Sequence, residues 1–334
     1  MDQRFPEILC AAKLKLEAFG LRPDEKVVIL ASTASYPALV DAYYSAAVAL
    51  RADPVLVTYG SRQPLSGLSD LVVEMVALAD AVIDLNANAW AYSDSLAKFH
   101  QLQKERGGRR VIMHVFGSEE DELHTLLNCP PSEDVLERSR RAQNMIDVAK
   151  TIHVTSELGT DLTVARGDRP SFAPQGQVCF FPPDDSVNGL VYFVGGFRTV
   201  APTVLKRMVY HPVRMEIENG KLVKIERSSE AGVMLDDWFR GVDDPNVYQF
   251  AHINLGLDHR IVLHHLDNFA LHFNYGGILM GFGANNSPRL GGNVRSKGHI
   301  EMQLTGANCL LDGRLILESG EFTADSGLRA PGRH

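Results

Sequence analysis

Hydrophobic residues in the first part of the chain fall in short unbroken runs: KVVIL from Lys26, PVLVTY from Pro54, AVIDL from Ala81 and RVIMHV from Arg110. Between the first two runs, after Ser32, Thr33 and Pro37, lies an Ala-rich stretch of helical texture, Val40–Leu50. Continuous apolar strands alternating with helices predict a parallel sheet covered on both faces. The opening residues, MDQRFPEILCAAKLKLEAFG, set acids among apolar positions and predict an amphipathic helix in place of a cleaved signal.

From about residue 150 the pattern changes to alternation. Thr151–Thr155 and Arg214–Glu218 alternate, and the latter turns at Asn219-Gly220 into Lys221–Ile225. Asn-Gly between alternating runs is a strong hairpin signal, because both turn residues need positive φ. Gly189–Val194 and Leu310–Leu317 add strands, the second turning at Asp312-Gly313, and one helix is expected near Ala231–Arg240. The polar tail from Ser319 is expected to fray. The expected fold is therefore α/β in class: a parallel α/β domain over residues 1–150, then an α+β domain with an antiparallel sheet over residues 151–334.

Composition narrows the function classes. The chain has 334 residues, 45% hydrophobic and 22% charged, as in folded globular proteins. Its net charge is −8 and its basic residues gather nowhere, which disfavours nucleic acid as a partner. No apolar run approaches the ~20 residues needed to cross a bilayer. The four cysteines, Cys10, Cys129, Cys179 and Cys309, are scattered without a CxxC pair. That argues against a zinc-thiolate site and a disulfide framework, and fits a reducing cytoplasm. GxGxxG and GxxxxGK[ST] phosphate loops are absent.

The histidines carry the candidate chemistry. Several of the 12 lie late in the chain: His252, His259, His264, His265, His272 and His299. His299 and Glu301 stand at i and i+2 in GHIEMQL, and on a strand both project from one face. His252 lies inside the apolar stretch FAHINLGL, where a buried imidazole needs a partner such as a metal. Two histidines and one carboxylate suit catalytic zinc or a non-haem iron(II) site with open positions. Just before His299, the run GFGANNSPRLGGN from Gly281 reads equally as a long surface hairpin or as a loop approaching substrate. In the second case Asn285, Asn286 and Arg289 would be polar contacts.

At these residues the chain resembles the 2,5-dihydroxypyridine 5,6-dioxygenases, relatives of the thermophilic-type aminopeptidases (aminopeptidase T). The marks are IHVTSELGTDL from Ile152, DSVNG from Asp185, DPNVY from Asp244, FAHINLG from Phe250, GAN from Gly283, Gly291-Gly292 and GHIE from Gly298, in shared order and spacing. In those dioxygenases an HIxxG histidine and an HxD pair hold one Fe(II). The resemblance thus implies His252, His299 and Glu301 as ligands, with Glu301 one methylene longer than the family's Asp. The aminopeptidases use two metals. Gln177 stands where they place an acidic ligand and cannot supply one, and His272 falls near a further histidine ligand of theirs. The first-half loop that carries extra histidines in the dioxygenases reads NANAW from Asn86 here.

The expectation is a mononuclear Fe(II) ring-cleaving dioxygenase that takes O2 and a hydroxylated aromatic or N-heteroaromatic substrate. His264, His265 or Asp161 are candidate acid/base groups, although Asp161 reads better as a support for the loop at Gly159-Thr160. The alternative is a hydrolase, aminopeptidase-like or deaminating, in which Zn or Mn activates water. A non-catalytic binding protein is the remaining reading. The resemblance also implies a homo-oligomer.

Overall fold

The computed structural model describes residues 3–106, 112–114, 123, 126–263, 266 and 268–332. The chain divides into two compact units, Met1–Pro131 and Ser132–His334. No helix among the described residues is long and apolar enough to cross a membrane.

The first unit runs α1 (Phe5–Phe19), β1 (Lys26–Ser32), α2 (Pro37–Ala49), β2 (Asp53–Tyr59), α3 (Asp70–Val76), β3 (Ala81–Asp84), α4 (Asp94–Glu105) and β4 (Ile112–His114). The four strands pair in parallel in the order β2-β1-β3-β4. The unbroken apolar character of β1 follows from helices on both faces. Val27, Ile29 and Ala31 pack with Ile8, Ala12, Leu39 and Tyr43 of α1 and α2. Val28 and Leu30 pack with Val73, Val76, Leu96 and Phe99 of α3 and α4. α2 begins three residues before the Ala-rich stretch because Pro37 occupies the first helical turn, where its missing N–H costs nothing.

The second unit begins with α5 (Glu133–Val148). It continues through β5 (Thr151–Thr155), β6 (Asp161–Ala165), β7 (Ser171–Phe172), β8 (Gln177–Phe180), β9 (Val187–Ala201), β10 (Lys206–Glu218) and β11 (Lys221–Ile225). After α6 (Glu230–Gly241) come β12 (Phe250–Gly256), the short α7 (Asn268–Phe273), β13 (Ile278–Gly283), β14 (His299–Leu304), β15 (Asn308–Leu311), β16 (Arg314–Glu318) and β17 (Glu321–Phe322). Its strands form one antiparallel sheet in the order β17-β16-β15-β5-β6-β9-β14-β13-β12-β8-β7, with β10 attached along β9 and β11 paired to β10. Both expected hairpins form: Asn219 and Gly220 turn at φ 48° and 71°, and Asp312 and Gly313 at φ 48° and 82°.

Three expectations change. The boundary between compact units lies ahead of α5, because that helix packs Ala142 and Ile146 into the second core and Arg138 Nη1 donates to the Leu257 carbonyl at 3.0 Å. The second unit therefore holds more than one helix; α7, at six residues, is too short to show a helical period. The tail does not fray: Phe322, Leu328 and Ala330 are buried, and the Ala330 N–H donates to Tyr275 Oη at 2.8 Å. Its few apolar residues each fill a place in the core, which a polar average conceals.

A side chain at Gly220 would meet the Asp184 carbonyl oxygen at 1.8 Å, in addition to the positive φ. Gly220→Ala should cost on the order of 1–3 kcal/mol. Urea denaturation should show this as a lower midpoint at unchanged slope.

Candidate metal centre

The site is a row across four neighbouring strands. His252 on β12 pairs with Gly281 on β13, Gly281 pairs with Glu301 on β14, and Glu301 pairs with Arg198 on β9. Directly opposed residues of antiparallel strands share a face, so the register alone brings His252, Glu301 and the buried Arg198 to one side. His299, two residues before Glu301, joins them. The register shift beside His252 marks a bulge in β12, and the one beside His299 marks a bulge in the facing strand β9.

Gly281 makes the space. A Cβ there would lie 2.3 Å from His252 Nε2 and 2.7 Å from Cε1, inside the ring's van der Waals surface. Only a glycine lets that imidazole lie across the strand. The His252 ring stacks on His299 with centroids 5.2 Å apart and on Phe181 at 5.8 Å.

His252, His299 and Glu301 are all buried, and one ligand atom from each lies within 4.8 Å of the others. His252 Nε2 is 3.3 Å from His299 Nε2, which is 3.6 Å from Glu301 Oε1. Donors sharing one ion at about 2.1 Å stand about 3.0–3.4 Å apart, and these two separations lie close to that range. Glu301 Oε2 is buried with no hydrogen-bond partner among the described residues, as a carboxylate awaiting a cation would be.

Burial pushes the His252 imidazole down to about 3, and the neighbouring His299 adds to the effect, so the ring is neutral and its lone pair available. For Glu301 burial works the other way, raising the carboxyl. The attraction and hydrogen bond of His272, with those of His299, outweigh it and hold the group well below the usual carboxylate range.

Around the triad runs a chain of polar contacts. His272 Nε2 lies 2.8 Å from Glu301 Oε1, and its Nδ1 lies 3.0 Å from Asn254 Nδ2 and 3.1 Å from Gln177 Oε1. Asn254 Nδ2 donates to Gln177 Oε1 at 2.5 Å, while Asn254 Oδ1 faces His252 Nδ1 at 2.8 Å. Asn254 was not among the expected site residues. The i, i+2 rule that joined His299 to Glu301 also joins it to His252.

The other expected residues are placed differently. Asp161 is exposed on β6 and pairs with His153 Nε2 at 2.7 Å, apart from the triad. His264 and His265 lie outside the described residues. The glycine-rich run is not a surface hairpin: Gly281–Gly283 complete the buried strand β13, and Asn285 and Asn286 are buried. Asn285 Oδ1 accepts from the Val294 N–H at 2.8 Å and its amide lies 3.4 Å from the Ala251 carbonyl, so its side chain pins the loop beside His252. Gly292 of this loop packs so closely on Phe181 that a Cβ would lie 2.6 Å from the ring. Arg289 is exposed on the turn Pro288–Leu290.

Known proteins are similar to this chain in sequence and in fold. A 2,5-dihydroxypyridine 5,6-dioxygenase of Pseudomonas putida is 26% identical over 266 residues, 71% of this chain and 72% of that protein. The solved structure of the Pseudomonas putida 2,5-dihydroxypyridine dioxygenase superimposes with a TM-score of 0.82 at 21% identity, covering 97% of this chain and 99% of that one. AmpT from Thermus thermophilus shares the fold, with a TM-score of 0.61 at 14% identity over 96% of this chain and all of that one. The sequence model of one family, described as 2,5-dihydroxypyridine 5,6-dioxygenase, matches residues 7–324. The chain belongs to the 2,5-dihydroxypyridine 5,6-dioxygenase (NicX) family of ring-cleaving dioxygenases.

Proposed function

We propose that this protein is a mononuclear non-haem Fe(II) dioxygenase that opens a hydroxylated N-heteroaromatic ring of the 2,5-dihydroxypyridine type. The observation that carries the reading is the buried His252, His299 and Glu301 set over Gly281, in a chain matched by the family model almost throughout. Two imidazoles, one carboxylate and no thiolate suit iron(II) with open positions. Bound there, the ion would supply Lewis acidity and the electrons that let O2 react with a ring.

The residues of this chain do the rest. His252, His299 and Glu301 would hold the ion, and the single carboxylate leaves charge on a divalent ion for an ionised ring hydroxyl to balance. Phe181, stacked on His252, keeps water from that side of the ring. Asn286 and Arg289, on the loop that Asn285 pins, are the proposed substrate contacts. His264 or His265, ahead of α7, would take the hydroxyl proton. The exposed Asp161–His153 pair is assigned no part in the reaction. In the cell we expect a cytoplasmic homo-oligomer.

The hydrolase reading gains nothing from the site. A second ion would need further anionic donors, and Asn254 and Gln177, beside His252 and the Glu301-bound His272, are neutral amides. Zn or Mn could occupy the same triad, and metal analysis separates the cases.

Protein reloaded anaerobically with Fe(II) should consume O2 on addition of 2,5-dihydroxypyridine, measured at an oxygen electrode. A zinc-loaded protein that hydrolyses amides and ignores oxygen would overturn the reading. Chelation should lower the thermal midpoint of the wild type by several degrees, since a ligand bound only to the folded state stabilises it by mass action. His299→Ala should lose that metal-dependent shift. Gly281→Ala, which displaces the His252 ring, should weaken metal binding at least tenfold by titration calorimetry while keeping the far-ultraviolet circular dichroism of the wild type.

A further inference from the structure

The row that carries the triad continues past it. Glu301 on β14 pairs with Arg198 on β9, and Arg198 pairs in turn with Lys206 on β10. At the other end Phe181 stacks on His252 with ring centroids 5.8 Å apart. The row therefore runs from an aromatic ring, through the metal triad, to two cations. Arginine is among the residues least often buried, yet Arg198 is only 2% exposed.

Neutralising Glu301 is not what places Arg198 here. The ion pairs of that carboxylate are with His272 Nε2 at 2.8 Å and His299 Nε2 at 3.6 Å. Its Oε2 is buried with no hydrogen-bond partner among the described residues. The roof over this side of the sheet is apolar. A Cβ on Gly196, two residues before Arg198 on the same face, would lie 2.5 Å from Leu266 and 3.2 Å from Leu271. Gln303 Nε2 holds the roof down by donating to the Leu271 carbonyl at 2.7 Å. Where Leu263, Leu266 and Leu271 exclude water, a fixed positive charge acts on an anion far more strongly than at the surface. A guanidinium is charged at every pH the protein meets, so nothing has to titrate for it to act.

Spacing sets what the guanidinium can hold. Adjacent strands lie about 4.8 Å apart, and two oxygens placed para on a six-membered ring are separated by slightly more. A ring with one oxygen on the ion held by His252, His299 and Glu301 would bring its para substituent one strand further along, over Arg198. The planar fork of an arginine suits an anionic oxygen or a carboxylate there.

We propose that Arg198 is a specificity-determining residue, receiving an anionic oxygen group of the ring para to the oxygen that meets the metal. The assignment rests on the reading that the triad holds the ion, and it narrows the substrate to rings with a second, ionised oxygen substituent. An ionised second hydroxyl and a ring carboxylate supply the same chemistry. Lys206, next in the row, adds positive potential behind Arg198. A ring with a single oxygen gains nothing from either.

Titration calorimetry on the full-length Co(II)-loaded protein, without oxygen, tests this with three probes. 2,5-Dihydroxypyridine carries a second oxygen para to the first, 6-hydroxynicotinate carries a carboxylate there, and 3-hydroxypyridine carries neither. The wild type should bind at least one of the first two about 10–100-fold more tightly than 3-hydroxypyridine, the usual worth of a charge-assisted hydrogen bond. Whichever is held more tightly identifies the anionic group as hydroxyl or carboxylate. Arg198→Met should bring all three probes to the affinity of 3-hydroxypyridine, which itself should not change. Should that variant not fold, Arg198→Lys carries the test: losing the planar fork should lower the preference by about threefold or more. A wild type without preference, or a preference unchanged in either variant, would overturn the proposal. Failure of the Fe(II) protein to take up oxygen would overturn the dioxygenase reading and leave these affinities standing.

Discussion

A carboxylate buried in the middle of an antiparallel sheet is the constraint around which the second unit is arranged. Glu301 sits on β14 between strands that are themselves buried, where an uncompensated charge would cost several kcal/mol. The compensation comes from two imidazoles, one of them delivered by the short helix α7 and the other two residues away on the same strand. One oxygen of the carboxylate is served in this way. The other is buried without a hydrogen-bond partner among the described residues, which is the position the proposed function assigns to a cation.

The same constraint explains the amides. Asn254 and Gln177 are buried polar groups that would be liabilities in a sheet made only for stability. Here Asn254 Nδ2 and Oδ1 and Gln177 Oε1 each meet a partner, so that the chain from His252 to Glu301 is continuous. Such a chain of contacts restrains the orientation of the His252 and His272 rings. Gly281 is the complementary device. It removes the one side chain that would stand where the His252 ring must lie, and so reconciles close strand pairing with a bulky ligand.

The first unit follows a different logic. Its central strand β1 is covered by helices on both faces, and alternate residues of β1 supply two separate hydrophobic clusters. Asp84, at the end of β3, is buried there and accepts from the Trp90 indole at 2.7 Å, so its charge is engaged inside that unit.

What the sequence by itself determined was whatever depends on neighbours in the chain. Unbroken apolar runs specified the parallel strands; burial on both faces accounts for β1 and β3, while the edge strand β2 leaves Val55 and Leu56 exposed. Asn219-Gly220 and Asp312-Gly313 specified two hairpins, because few other residues accept those φ values. The period of two put His299 beside Glu301. The polar average of the tail and the length of α7 misled, since burial of Leu328 and the place of a six-residue helix depend on distant partners. Only the tertiary structure decided that His252 lies one strand beyond Gly281 from Glu301, that Asn285 pins a loop, and that Asp161 stays on the surface. Register between strands far apart in sequence is set by the packing of the whole sheet. A row of ligands across such strands therefore exists in no local stretch of the chain.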